Sequence, residues 1–216
     1  MTVEKDVFTR IYNTGAWSNG SGSGSHPDNT RDYRHFIQHF MKEHSISSVL
    51  DLGCGDWQSS CLLDWSGISY LGLDIVEGVI ARNVSRYQTE SVRFGTLDSP
   101  RDALPAADLL IVKDVLQHWP NDDIRALFPR LAGYRFALIT NTREPGARPS
   151  RQPSRALNRD IGPGGHRPVD LALPPFGWPV REVFRHTSRR ASAAAAEVKA
   201  TVLLTGAGPA DSETPC

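Results

Sequence analysis

The apolar run Val49-Leu50-Asp51-Leu52 stops abruptly at Gly53-Cys54-Gly55, and few folds accommodate such a junction. The run is too short for a helix and suits a strand buried on both faces. Glycines at its end permit a tight turn and let backbone come close to a ligand. A second run, Ile68 to Leu73, ends in an acid, Asp74. Strand, glycine turn, short crossover (Trp57–Asp64), strand and terminal acid form the pattern of a nucleotide-binding βαβ unit. The acid is placed to hydrogen-bond ribose hydroxyls.

The glycines discriminate between nucleotides. A dinucleotide fingerprint needs a third glycine to bring a pyrophosphate to a helix N-terminus. Here Gly55 is followed by Asp56-Trp57-Gln58. Acids on both sides of the turn disfavour a pyrophosphate, and with it an NAD-dependent oxidoreductase, and favour an ammonium. With Asp51-Leu52-Gly53-Cys54-Gly55 and Asp74 together, the chain resembles the class I S-adenosylmethionine (SAM)-dependent methyltransferases over residues 45 to 142.

That resemblance implies an α/β fold: a Rossmann-like, seven-stranded, mostly parallel sheet with one reversed strand, helices on both faces and an N-terminal helical cap. The sequence fits it. Residues 2–13 place Val3, Val7, Phe8 and Ile11 at helical spacing. Asp28 or Asn29 is expected to cap a second helix running to Glu43, and Glu77–Tyr87 reads as a third. Strands are expected at Val92–Asp98, Ala107–Val112, Arg135–Thr140, Arg181–Arg185 and Val198–Leu204, the last being the reversed one. Asn121-Asp122-Asp123 is expected to cap a helix to Leu131, and Ser192–Ala196 reads as a loop. Residues 1–206 form one domain on this reading, with 1–44 as cap, 143–179 as a substrate-side insert and 207–216 as a disordered tail.

The resemblance implies SAM as cofactor and S-adenosylhomocysteine as product. The expected cofactor set is Asp51, Gly53, Cys54, Gly55, Asp74, Ile75, Leu97, Asp98, Lys113 and Trp17. Leu97 and Asp98 match the family by position, at the adenine, though Asp98 also reads as an ordinary capping residue. Trp17 leads into residues 19–25, rich in glycine and serine, which read either as a lid over the methyl donor or as a flexible linker. Asp114 and His118 follow the fourth strand, where the family commonly draws acid–base groups. His118 is therefore the candidate general base, oriented by Asp114, or else a residue that merely ends the turn before Pro120.

The proline-rich stretch from Asn141 to Pro179 carries Arg143, Arg148, Arg151, Arg155, Arg159 and Arg167. A segment this long without a helical pattern is either functional or solvated. As a substrate wall it would offer Asn158, Arg159, Asp160, His166 and Arg167, the two arginines acting as an anion clamp. The expected acceptor is a small polar, anionic metabolite. A protein methyltransferase and a non-catalytic SAM-binding module are the alternatives.

Composition narrows the partners. Lysine plus arginine equals aspartate plus glutamate at 24 each in 216 residues, so no global field selects nucleic acid or an anionic membrane. No apolar run approaches the ~20 residues of a membrane span, and the first residues lack a signal-peptide pattern. The three cysteines have no metal spacing and suit a reduced cytoplasm. The sequence leaves the oligomeric state open.

Overall fold

The structure, a computed structural model, describes residues 2–18, 20–145, 156–189 and 196–206, with side chains omitted at 144, 145 and 189. Arg148, Arg151, Arg155, most of the expected Ser192–Ala196 loop and the tail lie outside the described residues. The elements in chain order are α1 (Val3–Thr14), α2 (Arg31–Glu43), β1 (Ser48–Leu52), β2 (Ser69–Asp74), α3 (Glu77–Tyr87), β3 (Val92–Thr96), β4 (Leu109–Lys113), α4 (Asn121–Leu127), β5 (Phe136–Pro145), β6 (Arg181–Arg189) and β7 (Ala196–Thr205). The strands form one sheet in the order β3-β2-β1-β4-β5-β7-β6. β3, β2, β1, β4 and β5 are mutually parallel, and β7 runs antiparallel to both β5 and β6.

Alternation along the strands divides the core into two layers. Leu50, Leu52, Leu110, Val112, Ala137 and Ile139 point to one face, where Ile124 and Leu127 of α4 and Phe8 of α1 pack. Val49, Leu109, Ile111 and Leu138 point to the other, beneath Tyr33, Ile37, Phe40 and Met41 of α2. β4 is apolar from Leu109 to Val112 because both of its faces are covered there. The crossover from β1 to β2 holds only a single 3₁₀ turn, Ser60–Leu62, and Trp57 and Trp65 fill that side of the sheet.

Three expectations need correction. α2 starts at Arg31, and Asp28 and Asn29 belong to a separate 3₁₀ turn. α4 ends at Leu127 and continues as 3₁₀ turns to Gly133, since Pro129 supplies no N–H for a longer helix. Its first N–H is capped from a distance: Asn121 N donates to Asp160 Oδ1 at 2.8 Å. The insert is not simply a wall beside the site. Val169, Leu171 and Trp178 are buried in the α4 layer, and Phe128 packs on Trp178 with centroids 4.8 Å apart.

Leu110, wholly buried at the centre of β4, tests the dependence of the fold on this layer. Leu110→Ala should lose about 2–5 kcal/mol in chemical denaturation.

Candidate functional site

The carboxyl ends of β1, β2 and β4 open into one cleft, closed above by the chain that follows α1. It encloses about 1100 Å³ of empty space including its open mouth. Gly53 has φ +75° and Gly55 φ +56°, a region that only glycine enters without cost. A Cβ on Gly53 would collide with Val115, and one on Gly55 with Ser21. Gly53 N and Cys54 N both donate to the Leu73 carbonyl, and Asn83 Nδ2 donates to Gly55 O at 2.7 Å. Asp74 completes the turn, accepting from Gly55 N and Val76 N at 3.0 Å each.

Three carboxylates, on Asp51, Asp56 and Asp74, line this end of the cleft. Burial pushes the Asp51 carboxyl up to about 6, although the Tyr70 hydroxyl (2.7 Å) and the Lys113 ammonium pull it down. Burial likewise raises Asp74, against the backbone N–H groups of Val76 and Gly55. Asp56 holds the covering segment. Its Oδ2 accepts from Ser21 N at 3.1 Å, and its own N–H donates to Ser21 Oγ at 2.8 Å. Tyr12 reaches the same Ser21 hydroxyl, also at 2.8 Å.

The opposite end is built on a cluster of charges after β4. Asp114 sits at φ +59°, between Lys199 Nζ at 2.5 Å and Lys113 Nζ at 2.6 Å. Burial alone would raise its carboxyl, but the two ammonium groups overcome that and hold it well below the usual carboxylate range. Lys113 also donates to the Gly24 carbonyl at 2.8 Å, tying the covering segment to β4. Burial lowers the Lys113 ammonium, against the pull of Asp114. Lys199, only 2 % exposed, escaped the sequence reading. A lysine inside the mostly apolar run from Val198 to Leu204 was the available signal, because a buried charge there requires a partner.

His118 does not pair with Asp114, so the expected Asp–His arrangement is absent. Both Asp114 oxygens face lysines, while His118 Nδ1 lies 2.7 Å from the Gly165 carbonyl. A carbonyl only accepts, so Nδ1 carries the proton and Nε2 keeps its lone pair. Gln117 Nε2 approaches that lone pair at 3.4 Å, its Oε1 being held by Thr142 N. Burial drives the imidazole down to about 4, which leaves it neutral at physiological pH. Trp17 packs against it with centroids 4.6 Å apart.

Of the expected cofactor residues, Asp51, Gly53, Cys54, Gly55, Asp74, Ile75, Leu97, Lys113 and Trp17 line the cleft together. Asp98 does not. Its side chain is 84 % exposed and pairs with Lys5 at 2.8 Å, anchoring α1, while Ser99 and Pro100 take the lining position. Phe8, Tyr12 and Tyr33 also line it and were missed, because their helices meet β1 and β4 only in three dimensions.

The substrate set is corrected too. Arg167 is 1 % exposed and donates to Leu116 O (2.5 Å), Trp119 O (2.8 Å) and Asn121 Oδ1 (2.9 Å), so it cannot clamp an anion. Asn158 is buried, its amide bonded to Asp170 O and Pro174 O. Asp160 caps α4, and Arg159 is exposed outside the cleft. Arg143 pairs with Asp170. His166 is exposed, its ring 5.4 Å from His118.

This architecture is the fold of the class I SAM-dependent methyltransferases. Magnesium protoporphyrin IX methyltransferase from Synechocystis PCC 6803, solved with bound SAH, matches at TM-score 0.60 and 12% identity, over 94% of this chain and 100% of that one. N-methyltransferase NodS from Bradyrhizobium japonicum WM9, in complex with S-adenosyl-L-homocysteine, matches at 0.61 and 13%, over 92% and 98%. The 1,6-didemethyltoxoflavin-N1-methyltransferase of Burkholderia thailandensis matches at 0.61 and 17%, over 93% and 87%. No family model matches the chain, and no curated protein does.

Two outcomes are expected. Ser21→Ala removes the hydroxyl shared by Tyr12 and Asp56 N and should speed proteolysis near Gly22, read by mass spectrometry of the fragments. Asp51 has a raised folded pKa, so its ionisation opposes folding: the stability present below its unfolded value, ~3.9, is lost as pH rises through about 6. Asp51→Asn should thus stabilise the ligand-free protein at pH 8, by up to about 3 kcal/mol, with the gain shrinking at pH 5.

Proposed function

We propose that the protein is a SAM-dependent methyltransferase acting on a small polar molecule. The glycine turn carries this reading. Two glycines in positive-φ conformations, their Cβ positions already filled by neighbours, stand among the carboxylates of Asp51, Asp56 and Asp74. That donor set fits SAM: Asp74 for the ribose hydroxyls, Asp51 for the ammonium, Lys113 for the carboxylate, and Ile75 with Leu97 flanking the adenine. The burial that raises Asp51 and Asp74 is the condition a cationic or hydroxyl-rich ligand relieves. Structural neighbours crystallised with SAM or its product support the assignment.

When bound, SAM supplies a methyl group activated by its sulfonium and open to in-line displacement. The protein's part is to position and desolvate. Orientation contributes as much as ~7–11 kcal/mol in favourable cases. Trp17 and residues 20–25 act as a lid that excludes water, held by Ser21 on Asp56 and by Gly24 on Lys113. His118, neutral and with Nε2 as acceptor, exchanges the long Gln117 contact for a hydrogen bond from the O–H or N–H of the incoming group and so orients that group. This replaces the Asp114-oriented base, and Asp114 instead fixes the two lysines. Arg143 and Arg167 are occupied elsewhere and Lys113 is assigned to the SAM carboxylate, so the acceptor is read as small and polar, without a preferred charge.

No described helix is long and apolar enough to cross a membrane. The substrate is sought among small molecules, by supplying metabolite extracts with isotopically labelled SAM and following the label. Calorimetry tests the cofactor directly. SAM should bind the intact protein, and Asp74→Ala should lose about 1.5–3 kcal/mol of that affinity. Failure of SAM to bind, or equal affinity in the variant, overturns the assignment.

A further inference from the structure

His118 owes its geometry to a segment far away in sequence. Gly164 N donates to His118 O at 3.0 Å, and Arg167 N donates to Gln117 O at 3.2 Å. Gly165 O receives the His118 Nδ1 proton at 2.7 Å. Between these contacts the Arg167 guanidinium bonds Leu116 O, Trp119 O and Asn121 Oδ1, bracketing the 3₁₀ turn Leu116–His118 from both ends. Among the described residues, Arg167 is the largest fully buried side chain. Its planar fork serves these acceptors from two separate nitrogens in a fixed geometry, whereas all the donors of a lysine leave a single nitrogen.

We propose that Arg167 is a positioning residue: by fastening residues 164–167 to the turn after β4, it delivers the Gly165 carbonyl to His118 Nδ1 and leaves Nε2 as the lone-pair atom facing the methyl acceptor. The methyl-transfer reading is needed only for the last clause. Fixing the tautomer is a property of the folded chain and is measurable without substrate.

Several groups face the ring. Trp17 covers it from the segment after α1, Gln117 lies beside Nε2, and Gly165 and His166 approach from the insert. Asp114 and Lys199 act on it from β4's end and β7. Burial outweighs the Gly165 bond in setting its low titration, so loosening the loop and admitting water raises it. The two effects of an Arg167 change are then a mixed tautomer and an upward titration.

The test is ¹⁵N NMR of the full chain with labelled histidine, His118 assigned by its loss in His118→Ala. The parent protein should show the Nδ1–H tautomer, with titration near pH 4. Arg167→Lys should shift that midpoint toward the ordinary ~6.5 and add the Nε2–H form. Asn121→Ala, which removes one acceptor and leaves both carbonyl contacts, should give a smaller shift in the same direction and stands in if Arg167→Lys does not fold. With a substrate in hand, turnover in the variant should fall by up to ~10²-fold while SAM affinity is kept, the cost of a misplaced group. A folded variant whose His118 keeps the parent tautomer and midpoint overturns the proposal, as does an Nε2–H form in the parent. Altered His118 signals in a protein that binds no SAM would instead uphold the positioning role and reject the methyltransferase reading.

Discussion

The cleft depends on one carboxylate that joins three pieces of chain. Asp74 ends β2, bonds the N–H of Gly55 in the turn after β1 and bonds the N–H of Val76 at the start of α3. Both bonds are buried, and buried backbone donors are costly to leave unmade. The acid therefore sets the turn's shape before any ligand arrives. Gly53 and Gly55 suit it, since the path that brings Gly55 N to Asp74 passes through positive φ, which costs other residues, and leaves no room for a Cβ. Val115 and Ser21 then close against the space left by the missing side chains.

At the other end of the cleft the organising contact is ionic. Lys113, Asp114 and Lys199 come from β4, its terminus and β7, strands that are separated in the sheet only by β5. Burying two ammonium groups around one carboxylate is weak evidence for stability, because desolvation offsets most of the attraction. Its value is geometric: the cluster fixes the chain leaving β4 and, through Gly24, the segment above it. One end of the cleft is held by backbone donors on an acid, the other by a charge cluster, and the covering chain is fastened to both.

The sheet and most of the lining at the glycine-turn end of the cleft were legible in the sequence because they depend on local pattern. Apolar runs of strand length, and glycines at a strand end, carry their meaning in a few consecutive residues. The seven strands and α3 lie where periodicity places them. The errors lie in residues whose role is decided by distant partners. Asp98 matches a family position, yet Lys5, 93 residues earlier, draws it outward. Arg159 and Arg167 are both arginines beside a glycine turn, but one is exposed and the other is sealed under Leu116 and Trp119. Spacing cannot distinguish them. Lys199 could have been noticed, since a cation within Ala200-Thr201-Val202-Leu203 and Val198 has nowhere to go but to a partner.

The segment from Asn158 to Trp178 sits in the core of the sheet's α4 side and also holds the turn that carries His118. Loops that shape a substrate site are ordinarily free to vary in length and composition, since they hang from a scaffold that folds without them. This one lacks that freedom. Asn158 binds the carbonyls of Asp170 and Pro174, Asp160 caps α4, and Val169, Leu171 and Trp178 replace the apolar stripe of a helix. Changes of length or composition here reach the core as well as the cleft. Within the segment, the exposed rim at His166 is where a side chain can change without disturbing those contacts.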